Sequence, residues 1–129
     1  MVVDSSALFA VVFGEPERVL YLDTMSKASE LMMSAPTLFE CRLVALRKSG
    51  VDLEAKVLSV IDDLNIQIVA FDEPQAALAA DAFRRYGKGR DKAALNFGDC
   101  FAYALAKHAS EPLLYKGGDF LRTDVAAAI

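Results

Sequence analysis

Four acidic residues interrupt apolar or glycine-rich stretches of this 129-residue chain: Asp4 in MVVDSSAL, Glu40 in PTLFECRL, Asp99 in NFGDCFAYALA and Asp119 in LLYKGGDF. That placement constrains the fold more than any other feature, because carboxylates rarely stay beside buried apolar runs unless something pairs with them. Asp4 and Asp99 could each serve locally as helix caps or first-turn acids, a role worth about 1 kcal/mol. Alternatively the fold gathers all four, they repel, and a cation is needed between them. Oxygen-only ligands of this kind suit Mg²⁺ or Mn²⁺. Carboxylate clusters holding such ions are the usual equipment for hydrolysing a phosphodiester. For any single acid the capping explanation is as good; four in the same kind of setting favour the cluster.

The rest of the chain reads as strands alternating with helices. Met1–Val3 is a short, mostly β-branched strand ending at Asp4. Ser5 and Ser6 are expected to cap a helix over residues 7–13, stopped by Gly14. Glu15-Pro16-Glu17 opens a second helix, with Val19, Leu20, Leu22 and Met25 as its apolar face. Leu31–Met33 is a second strand. Residues 37–48 and 52–64 show helical spacing and join through Gly50 as an αα-hairpin, with Glu40 near the start of the first. Ile66–Phe71 is a third strand, and Glu73-Pro74 opens an alanine-rich helix running to about Tyr86. A loop over residues 87–91 leads to a helix over 96–108 whose first turn holds Asp99. Residues 112–115 form a short strand ended by Gly117-Gly118, and 125–129 a last strand or a helical tail. This alternation predicts a single domain, residues 1–129, built as a three-layer α/β/α sandwich around a mostly parallel sheet. Ligands of such sheets bind beyond the carboxyl ends of the strands, where Asp4 and Asp119 fall.

Composition narrows the class. Hydrophobic residues make up 54% and charged residues 25%, enough for a core without disulfides or a structural metal. Cys41 and Cys100 lie in apolar stretches without metal-type spacing and read as reduced core thiols of a cytoplasmic protein. No basic region precedes an apolar one at the N-terminus, so no secretory leader is expected. No apolar run reaches the ~18 residues of a membrane span. The net charge of -4 does not advertise a nucleic-acid partner. Its distribution is uneven, however. RRYGKGRDK, residues 84–92, sets Arg84, Arg85, Lys88, Arg90 and Lys92 against Asp91 alone, leaving the other residues at eight net negative charges. Such a segment is either a solvated face or a phosphate-binding loop.

Other chemistries find little support. His108 is the only histidine and sits near a helix end, where its charge is favourable. No nucleophile-elbow pattern accompanies it. KGGDF is not a P-loop, which requires GxxxxGK[ST].

The order and spacing of VVDSSAL, TLFE, the alanine-rich helix ending in RYGKG, LNFGDCFAYALA and LLYKGGDFLRTDV resemble a PIN-domain ribonuclease of the VapC toxin type along nearly the whole chain. The last two blocks carry most of the specificity. The resemblance implies an α/β/α sandwich and Mg²⁺- or Mn²⁺-dependent RNA cleavage. Its acidic positions fall on Asp4, Glu40, Asp99 and Asp119, and its supporting polar positions on Ser6, Asn96 and Thr123. It implies a cognate antitoxin as partner, RNA as substrate and a homodimer. Arg84, Arg85, Lys88 and Arg90 are then candidates for phosphate contact. Gly118 departs from the pattern, which often has Asn or Asp before the final DF acid. A non-catalytic PIN-like module that binds RNA or protein is one alternative, and a phosphohydrolase acting on small nucleotides is another.

Overall fold

The short apolar runs form an all-parallel four-stranded sheet in the order β3-β2-β1-β4, in a computed structural model that describes residues 1–129. The strands are β1 (Val2–Val3), β2 (Leu31–Ser34), β3 (Ile66–Val69) and β4 (Leu113–Leu114). Val2 pairs with Met32 on one side and Leu113 on the other, and Leu31 opposes Ile66. Parallel strands need crossovers, and helices supply them. These are α1 (Ser5–Val12), α2 (Arg18–Ser26), α3 (Ala35–Ser49), α4 (Val51–Asp63), α5 (Glu73–Tyr86) and α6 (Phe97–Ala109).

The period-two alternation of strand side chains divides the core. Val3, Leu31, Met33, Ile66 and Leu114 pack with Leu8 of α1, Met25 of α2, Cys41 of α3 and Ile61 of α4. Val2 and Leu113 point the other way, onto Ala82 of α5 and Tyr103 and Leu105 of α6. Three layers result, as the sequence predicts. Each fully buried Val or Leu contributes about 1.5–3 kcal/mol to holding them together.

Several local expectations are corrected. The first helix is capped by Asp4, not by Ser5 or Ser6. Asp4 has extended backbone and accepts from the Ser6 amide, so the helix begins at Ser5. The second helix begins at Arg18, because residues 13–17 form turns and the Glu15 and Glu17 carboxylates pair with Lys116. Its buried residues are Tyr21 and Met25, whereas Val19 and Leu20 are exposed. On α3 the buried face is Thr37, Cys41 and Ala45, while Phe39, Val44 and Leu46 are exposed. Small residues let this helix pack closely, with Leu38 at the margin of the core and these three side chains turned outward. The C-terminal segment is neither a full strand nor a helix. A single parallel bridge pairs Ala127 with Leu113. No helix is long and apolar enough to cross a membrane.

Candidate active site

Two of the four acids are placed by helix starts at the carboxyl edge of the sheet. Asp4 ends β1 and caps α1; its Oδ2 accepts from the Ser6 amide at 3.0 Å and from Ser6 Oγ. It is buried, at 4% exposure. Asp99 occupies the third position of α6 and closes a capping box. Asn96 Oδ1 accepts from the Asp99 amide and Asp99 Oδ2 from the Asn96 amide, each at 2.9 Å. Asp4 and Asp99 thus each commit Oδ2 to holding a helix end.

Glu40 reaches the site from α3, and the first turn of α6 receives it. Its carboxylate lies against Gly98, close enough that a Cβ there would overlap Oε2 and stand 3.0 Å from Cδ. Gly98 is not among the residues that the sequence patterns point to. Its signal was available, since glycine inside a helix is unfavourable by about 1 kcal/mol and marks a close approach. Asp119 stands exposed at the rim, in the loop after β4.

Electrostatics ties the four together. Burial, reinforced by the negative charge of Glu40, raises the Asp4 carboxyl above its ordinary range, against the pull of the Ser6 hydrogen bonds. Asp99 is pushed up to about 6, first by burial and then by the charges of Asp4, Asp119 and Glu40. None of the four forms an ion pair within the chain. The site therefore holds negative charge that no side chain offsets. The donor chemistry, all carboxylate oxygen, and the Gly98 recess that admits Glu40 fit a hard divalent cation. No three acids, however, converge into a closed ligand set.

A pH dependence follows. Asp99 titrates near 6 when folded and near 3.8 otherwise, so between these values the folded chain binds more protons than the unfolded one. Stability of the metal-free protein should then fall as pH rises through that window. Calorimetric melting at pH 5 and pH 7 should give the higher temperature at pH 5, with the difference reduced in Asp99→Asn. Stability rising from pH 5 to 7 through Asp99 would contradict the assignment.

The supporting polar residues divide. Ser6 Oγ donates to Asp4 and accepts from the Lys116 amide at 3.0 Å, joining β1 to the exit of β4. Asn96 belongs to the capping box. Thr123 holds a turn instead, donating to the Phe120 carbonyl at 2.8 Å and accepting from the Val125 amide. The basic segment divides as well. Arg84 faces Asp81, and Arg85 lies within 3.4 Å of both Asp81 and Asp124. Asp124 also accepts from Tyr103 and Lys107, and is drawn down to about 2 chiefly by the Tyr103 hydroxyl. Lys88 and Arg90 are exposed and have no acidic partner.

The sequence matches the PIN domain over residues 1–126, and the chain belongs to that family. Ribonuclease VapC42 of Mycobacterium tuberculosis is 39% identical over 129 residues, covering 99% of this chain and 98% of that protein. Two solved structures share the fold. Mycobacterium tuberculosis VapC20, described as a sarcin-ricin loop cleaving toxin, superposes with a TM-score of 0.76 at 16% identity over 97% of this chain and 95% of its own. A toxin-antitoxin complex from Klebsiella pneumoniae contains a chain with a TM-score of 0.72 at 16% identity, covering 99% and 97%.

Proposed function

We propose that this protein is a Mg²⁺- or Mn²⁺-dependent endoribonuclease toxin of the cytoplasm, neutralised by a cognate antitoxin. The observation that carries the proposal is that the charges of Asp4, Asp119 and Glu40 all act on Asp99 while no cation of the chain pairs with any of the four. Asp4, Glu40 and Asp99 would hold the ion, and Asp119 would complete its shell or help a second. When bound, the ion supplies an acidified water and offsets charge on the phosphate. Ser6 and Asn96 orient Asp4 and Asp99, and Gly98 leaves room for Glu40. The ribonuclease name of the 39%-identical relative supports RNA as substrate.

Lys88 and Arg90, free of acidic partners, would contact RNA phosphates. Replacing both by Ala should flatten the log–log salt dependence of single-stranded RNA binding by about 1.4, at about 0.7 per lost phosphate contact. An unchanged slope would make this segment a solvated face.

Exposed Val19 and Leu20 on α2, with Phe39, Val44 and Leu46 on α3, give an apolar antitoxin segment a surface to cover. An antitoxin Arg would suit the uncompensated carboxylates, since its fork binds them bidentately. A second copy of the chain, as in a homodimer, would find another apolar face. It is a groove of about 770 Å³ lined by Phe71, Ala79, Phe83, Phe97 and Phe101.

The open arrangement of the acids favours one rival reading, a PIN-like module that binds without cutting. Incubation with single-stranded RNA, with mononucleotides, and with RNA plus an Arg-containing antitoxin peptide separates the readings. We expect cut RNA, intact mononucleotides, and peptide inhibition that is partly relieved by added Mn²⁺. RNA bound but left intact at all metal concentrations would select the binding module. Inhibition insensitive to metal would mean that the peptide blocks RNA access instead.

A further inference from the structure

We propose that Lys116 is a positioning residue that sets Asp119 against the other carboxylates by clamping the exit of β4 to the α1–α2 turn. This rests on reading the four acids as one site. Three contacts fix the stretch just before Asp119. The Tyr115 carbonyl accepts from Tyr21 Oη at 3.1 Å. The Lys116 amide donates to Ser6 Oγ, the same hydroxyl that donates to Asp4. Lys116 Nζ bridges two carboxylates of the α1–α2 turn, pairing with Glu15 and lying 3.0 Å from Glu17.

Beyond Lys116 the chain turns at Gly117, whose φ is +97°. Asp119 follows, and then Phe120 is buried against the Tyr115 ring, with centroids 5.0 Å apart. The acid is therefore carried on a short, glycine-rich bridge between two anchors. Gly117 and Gly118 do little to fix its position by themselves, so the anchors must. The clamp also shares Ser6 with Asp4, placing both ends of the site on one hydrogen-bonded frame.

A half-exposed ion pair such as this one, with only a structural role, would change stability modestly and leave the site alone. A positioning role predicts more, because supporting contacts behind a metal ligand are worth about tenfold or more in metal affinity. The test is calorimetric titration with Mn²⁺, with melting temperature as the control for folding, in wild-type and Asp119→Asn backgrounds. Lys116→Met and the double variant Glu15→Gln/Glu17→Gln should each weaken Mn²⁺ binding about tenfold. The double variant opens the clamp without freeing an acid pair that might itself bind metal. Lys116→Arg, which can still span both acids, should stay within about twofold of wild type. In the Asp119→Asn background none of these changes should weaken binding further, since the contacts act through that residue. Equal losses in both backgrounds, or no loss from either clamp variant, would overturn the clamp and leave the site reading standing. If Asp119→Asn alone leaves Mn²⁺ binding unchanged, the reading of Asp119 as part of the site fails, and the clamp fails with it.

Discussion

Replacing Asp99 by asparagine should abolish RNA cleavage while raising the melting temperature of the metal-free protein. The two effects share a cause. Asp99 is partly buried and faces the charges of Asp4, Asp119 and Glu40, which is why its carboxyl titrates near 6. At neutral pH it is ionised against those neighbours, and neutralising it removes the repulsion. Asparagine keeps an oxygen that can accept from the Asn96 amide, so the capping box survives in part. Loss of the favourable charge at the α6 N-terminus is worth only about 0.3–1 kcal/mol and opposes the gain. Cleavage should fall at least about a hundredfold, corresponding to about 3 kcal/mol of lost transition-state stabilisation. The Mn²⁺-induced rise in melting temperature should vanish with it, because an ion stabilises only a native state that binds it. Asp4→Asn should behave alike. Undiminished activity in Asp99→Asn would remove this residue from the site.

Gly98→Ala should have the second large effect, a loss of activity where helix propensity alone would give only a gain in stability. Alanine normally stabilises a helix over glycine by about 1 kcal/mol. Here the added methyl would overlap the Glu40 carboxylate and stand 3.3 Å from Asn96 Oδ1. Glu40, a flexible side chain on a neighbouring helix, is the group that can give way, so the fold survives and the carboxylate leaves its place. Cleavage should drop about tenfold or more with little change in melting temperature. A double-mutant cycle isolates the cause. With Glu40→Ala already present, Gly98→Ala should turn stabilising and cost no further activity. An equal activity loss in both backgrounds would mean that Gly98 acts on the α6 start itself.

Of the two roles that the sequence poses for Asp4 and Asp99, capping is directly visible in the structure. Both acids cap a helix start through Oδ2, and that role leaves Oδ1 of each for the site, so capping and a shared site are compatible. The strand and helix alternation was legible because each short apolar run is bounded by Gly, Pro, Ser or an acid. What could not be read depends on distant partners. Arg85 is held by Asp124, 39 residues away, so the basic segment splits into a tethered half and a free half. Glu15 and Glu17 look like first-turn acids of a helix and instead hold Lys116, about a hundred residues later. On α3, helical spacing was clear but its inward face was not. Phe39, Val44 and Leu46 turned outward, and Cys41 and Ala45 took the core. Gly98 required knowing that Glu40 lies opposite.

We propose that the four uncompensated carboxylates make this PIN-domain protein a metal-dependent ribonuclease. The most direct test follows cleavage of an end-labelled single-stranded RNA by the purified protein, first with Mn²⁺, then with excess EDTA, then with Mn²⁺ restored. Cleavage, arrest and recovery are expected in that order, with Asp4→Asn inactive throughout. Cleavage that continues in EDTA, or that Asp4→Asn performs as fast as wild type, would contradict the proposal.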